Sequence, residues 1–302
     1  MTAKVLSQTQ IDEFISRGWT RLERAYAPED ALAAQDFLWE KLRAQGIEKT
    51  DAATWTKPLV RLNENYGDAQ FQACNTERLA DAVEDLVGQG RWRERGTVPR
   101  WGGWPVNFPR GEGAVWDIPK GGWHWDGSHF RHSVDSPHQG LLLICCFSHV
   151  EPRGGGTLIA SGSHNIVARL LASYPDGVEQ PEALRKCIRS HPWLADLGGF
   201  SVDTIDASPA SERVERFMNR SWTDENGTVL RVEEVTCEPG DVFLCHPFLY
   251  HAMSANITGA PRFMCNRTTP LTQPMQLQGD EDCSPLEESV RRALRISEPA
   301  TV

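Results

Sequence analysis

Seven consecutive apolar residues, Leu141-Leu142-Leu143-Ile144-Cys145-Cys146-Phe147, stand between Gly140 and Ser148. A strand of this composition is apolar on both faces, so it must be covered from both sides. That requirement points to a layered fold with this strand in the middle. From Arg100 onward the neighbouring segments are also short apolar runs broken by Gly and Pro. They fall at residues 104–108, in the stretch ending at Trp125, at 157–159 after the Gly154-Gly155-Gly156 turn, and at 230–237, 241–245 and 261–269. Several short strands separated by turn signals predict a β-sandwich or jelly roll rather than a parallel sheet alternating with helices.

Helical periodicity lies mainly outside those runs. Ile11, Phe14 and Ile15 recur at helix spacing before Gly18, a second periodic stretch covers 28–42 before Gly46, and a third covers 76–87. Residues 50–72 show no assignable pattern. Residues 165–218 interrupt the strands with helical pieces at 166–171, 181–188 and 211–218. An insertion of that length is expected to form a lid at the mouth of a barrel. A final helix is expected over 285–296, with Glu287 and Glu288 early and Arg291, Arg292 and Arg295 late, as the helix dipole favours. The chain reads as one domain, 1–302. It comprises an N-terminal helical region of about 1–98 packing on the sheet, a core from about 99–164 and 230–270, an insertion of about 165–229 and a C-terminal helix at 283–297.

Composition narrows the partners. The 302 residues carry a net charge of −10, which argues against a nucleic-acid groove or an anionic membrane surface and leaves a small-molecule substrate in a locally basic pocket. No apolar run resembles a signal peptide or spans a bilayer, so a cytoplasmic protein is expected. The eight cysteines form no Cys-x-x-Cys pair and fall mostly in apolar stretches, the pattern of reduced core thiols rather than a zinc knuckle.

Chemistry concentrates in Gly-Gly-Trp-His-Trp-Asp, residues 121–126. On a strand, i and i+2 share a face, so His124 and Asp126 converge while Trp123 and Trp125 pack on the other side. An imidazole and a carboxylate supply two ligands of the 2-His-1-carboxylate facial triad, which leaves open positions on non-haem Fe(II). His246 and His251 are both candidates for the third ligand. Arg262 follows on a later strand, and its planar fork suits the far carboxylate of a chelating 2-oxo acid.

His124-x-Asp126, the Gly155-Gly156-Thr157 to Gly162-Ser163-His164 segment, Pro239-Gly240-Asp241, His251 and Arg262 together resemble the phytanoyl-CoA dioxygenase-like family of Fe(II)/2-oxoglutarate oxygenases, over roughly the whole chain. The ten residues between His251 and Arg262 match the family's separation of distal histidine and arginine. The resemblance implies a mainly β protein with flanking helices around a double-stranded β-helix, the cupin-like jelly roll. It implies Fe(II) held by His124, Asp126 and His251, with 2-oxoglutarate chelating the metal and pairing with Arg262. O₂ and 2-oxoglutarate would be converted to succinate and CO₂ while an unactivated C–H is oxidised, with hydroxylation as the default outcome. Asn107 matches the family's amide at the cofactor's other end. Ser254 stands beside the position where family members carry a small hydroxyl residue, and Thr157 begins the strand after the glycine turn; both are candidate cofactor contacts.

Phe130 is expected to line the substrate pocket if alternation persists past Asp126. The carboxylate at Asp126 argues against halogenation, since related halogenases replace it with a small residue. The competing reading is a non-catalytic or differently metallated cupin-like binding protein, which has no need of the Arg262 clamp. A degenerate interaction module is expected to have lost at least one of the four residues. A small metabolite of specialised metabolism is the expected substrate.

Overall fold

The computed structural model describes residues 3–97, 100–111, 113–200, 209–278 and 283–295. The middle of the expected insertion, 201–208, and Ile296, the expected end of the last helix, lie outside the described residues.

The N-terminal region is built of helices with two short strands between them. Helix α1 (Gln8–Arg17) starts at a capping box in which Ser7 and Gln10 satisfy each other's main-chain N–H groups, and it ends at Gly18 with φ 85°. Strand β1 (Trp19–Leu22) follows, then α2 (Pro28–Arg43), which begins on proline. Strand β2 (Leu59–Leu62) and the short helix α3 (Ala69–Ala73) occupy the stretch without a readable pattern. Helix α4 (Glu77–Val87) is capped by the Thr76 hydroxyl, which accepts from Leu79 N–H at 3.1 Å.

The strands of the core follow: β3 (Trp104–Asn107), β4 (Arg131–His132), β5 (Leu142–Cys146) and β6 (Thr157–Ser161). After β6 comes the insertion, with α5 (Ser163–Leu171), β7 (Val178–Glu179), α6 (Gln180–Ser190), α7 (Pro192–Leu197), α8 (Ala210–Val214) and β8 (Trp222–Thr223). Strands β9 (Val229–Glu234), β10 (Val242–Cys245), β11 (His251–Met253) and β12 (Met264–Thr268) complete the core, and α9 (Pro285–Leu294) ends it.

Two antiparallel four-stranded sheets result, β1-β10-β5-β12 and β11-β6-β9-β8. A bridge between Asn107 and Arg262 joins the β2–β3 pair to the first sheet beside β12, and a bridge between His124 and His251 extends the second sheet past β11. The all-apolar strand β5 is central, and the two-residue period sorts its side chains. Leu142, Ile144 and Cys146 join Phe243, Cys245 and Met264 of the same sheet, Ile159 of the other, and Val235 and Cys237 just beyond the end of β9, in a core between the sheets. Leu143 and Cys145, with Leu244 and Cys265, turn the opposite way into the cluster that takes in Phe14, Leu38 and Val83 of the helices. Both faces of β5 are covered, as its composition demands. The architecture is a jelly roll with helices on its outside.

Helix α9 is tied to the N-terminal region by a buried charge. Glu287 is 2% exposed; it pairs with Arg91 and accepts from the main-chain N–H groups of Gln276 at 2.6 Å and Ser284 at 3.0 Å. Burial alone would push its pKa up, but Arg91 and these N–H donors outweigh it and hold the group below its ordinary 4.5. The unfolded chain then takes up this proton more readily than the folded one. The pair's stabilisation is present above the ordinary value and is lost as pH falls through the lowered one. Glu287→Gln should lower unfolding free energy at neutral pH by about 3 kcal/mol. Between about pH 5 and 3 its thermal stability should fall less steeply than that of the unmodified chain; differential scanning calorimetry across that range checks both.

Candidate active site

His124, Asp126 and His251 come together although the extended piece that carries the first two is very short. Gly122 (φ 80°) opens it and Gly127 (φ 116°) closes it, so His124 is the single residue that makes a ladder contact. That contact is reciprocal: His124 N–H donates to the His251 carbonyl at 3.0 Å and His251 N–H to the His124 carbonyl at 2.8 Å. Directly opposed residues put their side chains on one face, and the two imidazole centroids lie 4.4 Å apart. Asp126, two residues on, shares that face. Trp123 and Trp125 are both buried, and Trp125 turns away to meet the Tyr250 ring edge-on at 5.2 Å.

The ligand atoms of the three residues all lie within 4.8 Å of one another. Asp126 Oδ1 is 3.4 Å from His124 Nε2 and 3.8 Å from His251 Nε2. Each histidine is turned by its other nitrogen, Nδ1, which sits 2.7 Å from the Gly122 carbonyl in His124 and 3.1 Å from the Leu249 carbonyl in His251. A carbonyl only accepts, so Nδ1 carries the hydrogen and Nε2 offers its lone pair to the centre. Among the described residues, the buried His251 Nε2 has no hydrogen-bond partner. Burial lowers the His251 pKa and keeps the ring neutral. Burial pushes the Asp126 carboxyl up, but His124, His251 and Asn266 outweigh it and hold it below the usual range. For His124, burial works downward and is outweighed by Asp126 and the Gly122 carbonyl, so its pKa is raised. Neutral imidazole and ionised carboxylate are the ligand forms, and two nitrogens with one oxygen on one side of a small gap suit a divalent first-row ion.

Arg262 sits on the same interior side. Met264 faces the core between the sheets, so residues 262 and 266, two before and two after it, face that way as well, while Phe263 and Cys265 face the helices. Arg262 is 2% exposed. Its guanidinium meets the Pro105 carbonyl at 2.9 Å and the Met264 thioether at 2.7 Å, and its Nε has no partner among the described residues. Among the described residues no carboxylate pairs with it. Burial lowers its pKa to about 10. A thioether is a weak acceptor and a buried cation without a counter-charge is destabilising, so this pocket fits an anionic group such as the far carboxylate of 2-oxoglutarate. Thr157 reaches the same place, with its Oγ1 3.3 Å from the Met264 sulfur. The turn before it depends on glycine: Gly155 has φ 78°, and a side chain on Gly156 would strike the Val235 carbonyl.

Asn107 and Ser254 lie beside this pocket and spend their donors on main chain. Asn107 Nδ2 donates to the Ser254 carbonyl at 2.9 Å and the Gly155 carbonyl at 3.3 Å, and Ser254 Oγ donates to the Gly156 carbonyl at 2.7 Å. His246 is not brought to the triad. Residues 242, 244 and 246 alternate toward the helices, and the His246 ring stacks on Phe14 at 5.9 Å and lies 4.9 Å from His164. Phe130 does not share the face of Asp126, because the turn at Gly127 breaks the alternation; its ring stacks on His132 at 4.4 Å. Asp241 of the Pro-Gly-Asp turn is structural, accepting from Arg24 N–H at 3.0 Å and Glu238 N–H at 2.9 Å and pairing with Arg21.

The triad opens onto a cavity of about 620 Å³ whose wall includes Arg61, Trp123, Ser128, Gln180 and Met253 as well as His124 and Asp126. Arg61, Met253 and Asn266 carry no motif that sequence alone would single out. Asn266 is nonetheless findable, since it follows Arg262 and Met264 at the strand's period of two. A second hollow of about 600 Å³ between α1, β9 and α9 is lined by several arginines. Arg17 and Arg231 there pair with Glu233, and Arg169 with Asp224, so these charges answer one another.

A sequence profile of the phytanoyl-CoA dioxygenase family matches residues 16–264. No curated protein sequence matches. Similar solved structures include HygX from Streptomyces hygroscopicus with nickel and 2-oxoglutarate bound, 14% identical over 87% of this chain and 86% of that one, TM-score 0.41. EctD from S. alaskensis with bound Fe is 17% identical over 88% and 77%, TM-score 0.47. The 2-oxoglutarate-dependent carbocyclase SnoK from nogalamycin biosynthesis is 13% identical over 90% of each chain, TM-score 0.41. Since the profile spans most of the chain, the protein belongs to the phytanoyl-CoA dioxygenase family and is a non-haem Fe(II)- and 2-oxoglutarate-dependent dioxygenase.

Proposed function

We propose that His124, Asp126 and His251 hold Fe(II), that Arg262 and Thr157 bind the far carboxylate of 2-oxoglutarate, and that a C–H bond of a small metabolite lying in the adjoining cavity is hydroxylated. The observation that carries this reading is the buried Arg262 guanidinium, which faces the same interior as the triad and pairs with no carboxylate among the described residues. When bound, Fe(II), 2-oxoglutarate and O₂ supply the oxidising chemistry: one oxygen atom goes to succinate, released with CO₂, and the other to the substrate carbon.

The chain's own contribution is placement. The Gly122 and Leu249 carbonyls fix the two imidazoles, and Asn266 and the histidines keep Asp126 ionised. Asn107 and Ser254 hold the glycine turn against β3 and β11 and so bound the co-substrate pocket without donating into it. The cavity of about 620 Å³ has the size of a small-molecule site rather than a polymer groove. The insertion after β6 contributes Gln180 to its wall, which supports a lid role for that segment. No helix among the described residues is long and apolar enough to cross a membrane. All eight cysteines are free thiols, which supports a reducing, cytoplasmic setting. The size of the cavity supports a diffusible metabolite as substrate and, with it, a role in specialised metabolism.

Anaerobic addition of Fe(II) and then 2-oxoglutarate should produce the weak visible charge-transfer band of the chelate. His124→Ala and His251→Ala should each abolish the band and turnover, whereas His246→Ala should retain both. Iron binding without a band in the unmodified protein would favour the metal-binding module over the oxygenase site described.

Arg262→Ala should leave iron affinity within a few-fold and raise the 2-oxoglutarate concentration for half-formation of the band by about a hundredfold, the effect of losing a charge-assisted pair. Unchanged dependence on 2-oxoglutarate would move the clamp elsewhere.

A further inference from the structure

Strand β2 pairs with β3 so that Leu59 lies opposite Asn107 and Arg61 opposite Pro105. Opposed residues share a face, and the Asn107 side chain points to Ser254 and Gly155 at the site. Arg61 therefore belongs to the site-facing side of β2. It is exposed, lines the cavity in front of His124 and Asp126, and makes no ion pair or hydrogen bond with any described residue.

Charge balance gives this cation a use. On the reading above, Asp126 and the two carboxylates of 2-oxoglutarate together offset a divalent ion and Arg262. Arg61 is then the remaining positive charge on the described wall of the cavity, in a protein whose net charge is −10. A focused positive field in an otherwise acidic molecule attracts and orients an anion. Met253, two residues beyond His251 on β11, lines the same cavity and is 39% exposed, giving apolar surface beside the charge.

We propose that Arg61 recognises an anionic group of the primary substrate, so that the substrate is a small amphipathic anion. Its charged end pairs with Arg61, and its apolar body crosses Met253 to bring a C–H bond over the triad. The inference rests on the Fe(II)/2-oxoglutarate reading of the site and adds the class of molecule oxidised there.

Isothermal titration calorimetry on the anaerobic protein, saturated with Fe(II) and 2-oxoglutarate, tests it with straight-chain monocarboxylates from butanoate to octanoate and their primary amides. In the unmodified protein at least one acid should bind about tenfold or more tightly than its amide, with the difference shrinking as salt rises. In Arg61→Gln the ratio should fall to about one, and in Arg61→Lys it should be partly restored. Met253→Gln should weaken acid and amide alike. Equal binding of acids and amides, no binding of either, or a ratio that survives Arg61→Gln overturns the proposal. So does a raised 2-oxoglutarate requirement for the charge-transfer band in Arg61→Gln, since Arg61 would then serve the co-substrate. Failure of the unmodified protein to form the band counts against the site reading itself, separately from Arg61.

Discussion

A guanidinium sealed inside a protein without a carboxylate partner is unstable unless something anionic visits it. Among the described residues Arg262 is such a group, and much of the architecture serves to keep it in place. Its main chain is hydrogen-bonded to Asn107 in both directions, its side chain rests between the Pro105 carbonyl and the Met264 thioether, and Asn107 in turn pins the turn that delivers Thr157. Packing energy from the core between the sheets and from the helix-facing cluster offsets the unfavourable burial of this charge. The jelly roll thus maintains a local site that the chain, left to itself, would not stabilise.

The two-residue period of the strands explains most of what is legible in the amino-acid order. It places Leu142 and Leu143 on opposite sides of one strand, sends Arg262 inward with Met264 and Asn266, and sends His246 outward with Leu244. Applied along 242–246, the same rule removes His246 as a ligand candidate, because Cys245 and Phe243 occupy the inner face. The helices at 8–17, 28–43 and 77–87 are legible because caps, prolines and apolar spacing agree there.

The features that local pattern does not reveal have a common physical cause. Strands β1 and β2 are four residues each, too short to display a period, and they exist because neighbouring strands supply main-chain partners. The expected strand into Trp125 shrinks to one bridge because glycines with positive φ stand on both sides of it. Carrying alternation across one of those glycines misplaces Phe130. Arg61 reads as an ordinary surface charge, since its meaning comes from β3 lying beside β12, a neighbour relation that no local pattern encodes.

The reciprocal bond between His124 and His251 has a consequence for mechanical integrity. These residues are each other's main-chain partners, and on the proposed reading their side chains grip one ion, so main chain and side chain are cross-linked at the same point. The glycine-flanked piece at 122–127 meets the start of β11 through that one pair of main-chain bonds. An ion there acts as a removable staple at a sheet edge, in the position where a secreted protein would use a disulfide. Chelation would therefore loosen the cavity wall formed by residues 121–128 along with the chemistry, and loading the metal would seal the two together.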